Sequence, residues 1–446
     1  MNFTSLSERS ATACWRRPAL ALACALAFGS THAQTAPDRA SELEQLLKQS
    51  LQQIESLKQR VQQLENKSAP VRPAAAAAPA AAANAGLSEK VTALEGQVNA
   101  ISTRPEEDRG LDMHGFVDVG FVAGDKNRPT GGYMGKLDFY LTPKFGDRVK
   151  SLMELNFETS EEGVVSTDVE RMQIGYTVSE NLTAWAGRFH TPFGYWNTAF
   201  HHGAQLQTSI LRPKFLEFED AGGILPAHTV GLWGTGGVKT AGGRVGYDVY
   251  VGNSPSIDLG DTSVGGDGTL NPGLHGSKYR NATFGANLNY NFRGDLNGFT
   301  VGTHVLSSKI GDDLAAGQNL TQLRMYGAWL TYLEDDWEVM VEGYGFRNSD
   351  LSGGTGSHTS SAGYAQVGRL FGNNTPFVRF EKTKFDQNDQ YFAQQASGRS
   401  YERTAIGWRY DFNPKTAIKL EAVTTNLTDP GGERYSELWT QFAVRF

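Results

Sequence analysis

The sequence predicts an all-β chain: a 16-stranded antiparallel transmembrane β-barrel with an N-terminal α-helical coiled-coil extension. Three observations carry this. In the last segment, 434–446, Leu438, Thr440, Phe442, Val444 and Phe446 fall on one face, Glu437, Gln441 and Arg445 on the other, and the final residue is aromatic. The same alternation recurs backwards for more than 300 residues. A transmembrane barrel requires this pattern, because lipid-facing apolar residues alternate with lumen-facing polar ones, and aromatics gather where the wall meets the headgroups. Finally, mean hydropathy is −0.40, and no apolar run approaches the roughly 20 residues of a membrane-spanning helix. A barrel escapes that test, since only alternate residues face lipid.

Residues 1–33 read as a secretory signal. Arg16 and Arg17 precede a short apolar core, Ala19 to Phe28, and Thr31-His32-Ala33 offers a cleavage site before Gln34. Both cysteines, Cys14 and Cys24, lie inside it, which leaves the mature chain without thiol chemistry or Cys-ligated metal. Cys24 sits in mid-core behind Ala21-Leu22-Ala23, a poor lipoprotein site. Removing three arginines (Arg9, Arg16, Arg17) and one glutamate (Glu8) moves the net charge from −7 to −9, a balance that argues against a nucleic-acid partner.

Residues 34–67 read as a coiled coil, with Leu47, Ile54 and Val61 at one heptad position and Leu43, Leu57 and Leu64 at the other, broken only by Ser50. The alternative is a solvated single helix. Residues 68–86 are an Ala/Pro-rich spacer. A second short heptad run occupies 87–110, with Leu87, Val91, Leu94, Val98 and Ile101. Both helical runs are expected in the periplasm, ahead of the barrel at 111–446.

Turn chemistry divides the 336 residues of that domain into 16 strands. The short turns are expected at Gly146-Asp147, Ser179-Glu180-Asn181, the glycines near 236–243, Gly294 to Gly298, Glu334-Asp335-Asp336, Gly372-Asn373-Asn374 and Asn413-Pro414. Seven short turns alternating with eight longer segments close a barrel with both ends on one side; a missed hairpin would make eighteen strands. Phe145, Tyr176, Phe292, Tyr332, Trp337, Phe371 and Phe412 cluster at the short turns as an aromatic girdle. A large soluble β-sandwich would alternate too, but with a polar outward face.

The longest connection, about 190–226, joins strands five and six. Long loops without secondary structure are usually functional, and Phe193, Tyr195, Trp196, Ile210, Phe215, Leu216 and Phe218 make this one too apolar to hang in water. It is expected to fold into the lumen, with Arg212, Lys214, Glu217, Glu219 and Asp220 facing Arg171, Arg188 and Arg244 across a constriction, although any of these charges could instead anchor the loop. Other inward-facing charges are mixed in sign: Lys136, Arg324, Arg379, Arg403, Arg409 and Lys419 against Asp118, Asp138, Glu154, Asp248, Glu338, Glu342, Glu381 and Glu421.

Gly187-Arg-Phe-His-Thr-Pro-Phe-Gly-Tyr-Trp-Asn197 and Gly222-Gly-Ile-Leu-Pro226 resemble the porin O and P superfamily of Gram-negative outer membranes, in the branch with an N-terminal periplasmic helical extension. The resemblance covers the barrel in architecture and is close only around residues 185–235. It implies a homotrimer in outer-membrane lipid and a water-filled channel for small hydrophilic solutes, with an inward third loop. The phosphate-selective members' dense ladder of Arg and Lys is absent, so phosphate specificity does not carry over. The arginines lean towards anionic solutes. No cofactor is expected.

His190, His201 and His202 lack a third ligand at motif spacing and make a weak metal reading. Asp258 to Asp267 lacks a complete calcium-loop pattern. An outer-membrane hydrolase would need a nucleophile near His114 or His304, and none stands at a recognisable elbow. The remaining alternative is a structural anchor whose coiled coil meets the cell wall, but that role does not require an apolar third loop.

Overall fold

The computed structural model describes residues 111–125, 128–143, 145–159, 165–200, 203–219, 222–259, 268–274, 276, 280–313 and 318–446. The expected signal, both helical runs and the Ala/Pro spacer lie outside the described residues. The first seven strands are β1 (Met113–Gly124), β2 (Thr130–Leu141), β3 (Val149–Thr159), β4 (Val165–Ser179), β5 (Leu182–His190), β6 (His228–Thr240) and β7 (Gly243–Asn253). A short hairpin follows, β8 (Ser256–Asp258) and β9 (Thr269–Asn271). The rest are β10 (Ala282–Phe292), β11 (Phe299–Asp312), β12 (Asn319–Glu334), β13 (Trp337–Asp350), β14 (Ser357–Arg369), β15 (Asn374–Lys384), β16 (Tyr401–Asn413), β17 (Thr416–Leu427) and β18 (Arg434–Arg445).

Sixteen of these form one closed antiparallel wall. Each pairs with its sequence neighbour, β7 pairs with β10, and β18 returns to β1 in a register running from Phe116 opposite Arg445 to Gly124 opposite Glu437. Closure leaves no edge, so every strand finds a partner for its N–H and C=O groups where no water could supply one. The β8–β9 hairpin is not part of the wall. It lies at the long-loop rim, with β8 meeting the end of β11 in a two-residue parallel pairing.

All seven expected short turns mark strand junctions, although Gly236 and Gly237 lie inside β6 and the turn there is Ala241-Gly242; eight connections occupy the other rim, among them 125–129 and the loop at 191–227, here called L3. Their Gly, Asn and Asp content explains why they were legible. Asp335 and Asp336, for example, both adopt positive φ in the two-residue turn between β12 and β13.

The wall is inside-out relative to a soluble protein. Ile406 is 62 % exposed, and Phe284, Phe380, Leu438 and Phe442 are exposed with it, while Glu154, Asn156, Asn287, Arg379, Lys419 and Glu421 are buried. Phe145, Tyr176, Trp337, Phe371 and Phe412 are exposed near the short-turn rim. An apolar outer face above an aromatic girdle, enclosing a polar interior, is the signature of a transmembrane barrel.

Ile406 lies near the middle of the outward face of β16. Ile406→Arg is expected to destabilise the barrel by about 2–4 kcal/mol, measured as a shift of the urea midpoint for folding into bilayers.

Candidate functional site

An irregular loop inside a barrel faces a demand that a strand does not: its backbone polar groups are buried without a ladder to satisfy them. L3 meets it with side chains of the wall. Glu342 on β13 accepts the N–H groups of Tyr195 and Trp196 at 2.9 and 2.6 Å, and also the hydroxyls of Tyr344 and Tyr364. Glu421 on β17 accepts Ile210 N–H and Leu211 N–H at 2.5 and 3.1 Å. Glu381 on β15 accepts Lys214 N–H at 2.7 Å, and Tyr401 Oη accepts Phe215 N–H at 2.9 Å. His304 Nδ1 on β11 accepts Gly194 N–H at 3.0 Å.

The carbonyls are held by the opposite sign. Arg379 donates to the carbonyls of Leu211 (3.0 Å) and Arg212 (3.3 Å), and Arg409 to those of Gln205 (2.7 Å) and Gln207 (2.9 Å). Lys419 Nζ donates to Ser209 O at 3.0 Å and to Ala204 O. The wall charges pair among themselves too, with Arg379 2.9 Å from Glu381 and 3.4 Å from Glu421. A charge buried in such a site is tolerated when paired and hydrogen-bonded, and is costly otherwise.

Apolar packing supplies the remaining grip. Phe193, Trp196, Phe215, Leu216, Phe218, Ile224 and Leu225 are all buried. Phe215 meets Tyr344 edge-on at 5.3 Å, and Trp196 meets Tyr364 at 5.6 Å. Two glycines of the sequence motifs are required by close approach. A Cβ on Gly194, at φ +63°, would stand 2.1 Å from Tyr344 Oη and 2.2 Å from Glu342 Oε2. A Cβ on Gly223 would stand 2.0 Å from the carbonyl oxygen of Glu217. Among the described residues of the loop, helix α1 (Trp196–Ala199) forms one helical turn and Lys214–Leu216 a 3-10 turn.

At the root of L3, His228 Nδ1 lies 2.8 Å from Glu219 Oε2, and His228 Nε2 lies 3.1 Å from Glu170 Oε2 on β4. The Phe218 ring stacks on the His228 ring. Arg188 grips Asp168 through two nitrogens at 3.1 Å and reaches Glu170 at 3.5 Å. Arg171 donates to Glu154 at 2.6 Å, and Lys136 pairs with Glu158 at 2.8 Å.

The residues predicted for a constriction divide accordingly. Arg171, Arg188 and Glu219 are in ion pairs at the β2–β6 side. Arg212 is buried, donates to Leu216 O and Phe200 O, and lies 3.8 Å over the Phe218 ring, so it anchors the loop internally. Lys214 and Glu217 are half-buried. Asp220, His201 and His202 lie outside the described residues, as does most of 258–267. Arg244 is the second residue of β7, next to a short turn. Among the predicted wall residues, Arg379, Arg403 and Arg409 are buried against the loop. Arg324 is a correction. It pairs in register with Ser307 and shares the outward face of Tyr326, while the alternate residues Leu323 and Met325 are buried. It therefore points away from the lumen. His304, Tyr344, Tyr364 and Tyr401 were missed as anchors, and their signal was an inward position beside Glu342 and Glu381. Among the described residues no cluster of three or more His, Cys, Asp or Glu could hold a metal.

No family model matches the chain, and no curated protein matches it. Solved structures are similar at low identity. The outer membrane channel DcaP of Acinetobacter baumannii and Salmonella typhi OmpF, in complex with daunomycin, are each 13 % identical with a TM-score of 0.48, over 75 % of this chain and 97 % of theirs. OmpT of Vibrio cholerae, an outer membrane protein in its trimer form, is 10 % identical with a TM-score of 0.45, over 75 % of this chain and 99 % of its own.

Glu421→Ala would leave the buried N–H groups of Ile210 and Leu211 without their acceptor and remove one of the two carboxylates beside the Arg379 guanidinium. The expected cost is about 3–5 kcal/mol, visible as a lower melting temperature together with new protease cleavage near Ile210.

Proposed function

We propose that the chain is an outer-membrane porin: a water-filled channel for passive diffusion of small hydrophilic solutes, working as a homotrimer and narrowed by L3. The observation that carries this reading is the hydrogen bonding of L3 to side chains of β11, β13, β15, β16 and β17. Its root lies on β5 and β6, so the loop reaches strands on the far side of the wall. Sixteen strands enclose an aqueous lumen, and a loop held across it sets the bore. A loop that merely covered the rim would not need buried glutamates aimed at its N–H groups.

The anion preference that the arginine count predicts is expected to be small. Arg379 and Arg409 direct their donors at loop carbonyls and carboxylates, and Arg171 and Arg188 are paired. Charges engaged in this way contribute little net field to a passing solute. Lys214 and Glu217, half-buried on the loop, are better placed to act on it. Burial pushes the Glu217 carboxyl above the ordinary carboxylate range, against the pull of Arg212, Arg403 and Lys214.

Two measurements in planar bilayers test the reading. Deleting 190–226 in a chain that still folds should raise conductance severalfold and flatten selectivity; unchanged conductance would show that L3 does not set the bore. With the raised pKa, Glu217 takes up its proton earlier than an ordinary carboxylate as pH falls from neutral. Acidification should then move the reversal potential towards anions, and Glu217→Gln should show that shift already at neutral pH and lose most of its pH dependence.

A further inference from the structure

Outside the lumen, three cations stand together on the lipid-facing surface. Lys309 on β11 shares the outward face of Val305, Arg324 on β12 that of Tyr326, and Arg347 on β13 that of Val341. Lys309 pairs with Gln322 and Gln322 with Ser349, which sets Arg324 and Arg347 opposite each other and Lys309 diagonal to Arg324. Like charges in such positions are destabilising, and no carboxylate pairs with any of the three among the described residues. Along the outward faces of these strands the acidic residue is Glu334, at the opposite end of β12.

All three cations lie towards the long-loop end of their strands. Each lies ten residues from the short-turn end of its strand: Phe299 to Lys309, Glu334 to Arg324, Trp337 to Arg347. Ten residues at ~3.4 Å each, tilted by about 40°, rise roughly 26 Å, against an apolar band of about 25 Å. The three cations therefore crown the band at the long-loop rim, at headgroup level. Neutral donors are interleaved with them: Gln322 Nε2 donates to Ser307 Oγ at 3.1 Å, and Ser349 Oγ lies 3.3 Å from Ser357 Oγ. Below, Gly343 and Gly363 are directly paired, and on β13 the Tyr326 ring lies over Gly345, between Arg347 and Gly343, within 2.5 Å of where a Cβ on Gly345 would stand.

We propose that Lys309, Arg324 and Arg347 form a binding site for the phosphorylated headgroup of an outer-leaflet lipid. Two guanidiniums and an ammonium match phosphate oxygens through charge-assisted hydrogen bonds. A bound phosphate turns the repulsion between Arg324 and Arg347 into a shared attraction. The site rests on the outer-membrane reading, because it requires the long-loop rim to face the outer leaflet; it does not require the pore to conduct.

The test is native mass spectrometry of the purified full chain with diphosphoryl lipid A as probe, alongside dephosphorylated lipid A and inorganic phosphate. The variants are K309Q/R324Q/R347Q and, as a control on an exposed lysine at the short-turn end of β6, K239Q. At about fivefold per cation, the triple variant should bind diphosphoryl lipid A about a hundredfold more weakly, with K239Q unchanged. Wild type should prefer the phosphorylated lipid, and millimolar phosphate should not displace it. Equal binding by wild type and triple variant, no preference for the phosphorylated lipid, or displacement by free phosphate would each overturn the site. So would loss of the trimer in the triple variant, which would assign this face to a second copy of the chain. Bilayer conductance of the same samples separates the two readings: lipid binding without conductance removes the channel and leaves the site, and conductance without cation-dependent binding does the reverse.

Discussion

Satisfying the backbone where water is absent is the constraint from which the rest of this structure follows. In the wall it is met by closure, β18 returning to β1. In the lumen the same demand returns, because L3 has almost no secondary structure of its own and is nevertheless buried. There it is met by side chains, with glutamates accepting from N–H groups and arginines and a lysine donating to carbonyls. This explains why the inner face of β13 to β17 carries so many charges of both signs. A wall built only to conduct would not need Glu421 and Arg379 fully buried beside each other.

On the porin reading proposed above, this arrangement makes anchoring and selectivity competitors for the same residues. An arginine whose donors are directed at Leu211 O and Glu381 is fixed in position, and its charge is largely cancelled. Counting inward arginines therefore overstates the field a solute meets. Position also matters: the acids and bases of β2 to β4, such as Lys136 with Glu158 and Arg171 with Glu154, form a second paired wall near the root of L3. Electrostatic character then rests on the few charges that the loop leaves half-buried.

Much of the fold was legible from residues whose chemistry is local. Asp335-Asp336 and Gly294 to Gly298 can hardly be anything but turns, and alternation such as Met153-Glu154-Leu155-Asn156 fixes which side chains face lipid. The inward course of L3 was legible from Phe193, Trp196 and Phe215, which have nowhere else to be buried. Its landing place was not. That Glu342 receives Tyr195 and Trp196 depends on a contact across 146 positions for the nearer pair, and no local pattern encodes such a distance. His304 looked isolated for the same reason, since its partner Gly194 lies 110 positions away.

Arg324 shows where alternation is easily misread. An arginine inside an apolar strand suggests the lumen, because a charge at mid-membrane on the lipid face is expensive. The penalty depends on depth, however, falling to about 0–1 kcal/mol near the interfaces. Ten residues from the short turn, the lipid face has already reached the headgroups, and there a cation is favoured by anionic lipid. Parity along β12 and height along the strand must therefore be read together. Read so, the outward side of Lys309, Arg324 and Arg347 is a consequence of the barrel's geometry, and their lack of carboxylate partners becomes a property of the membrane surface they face.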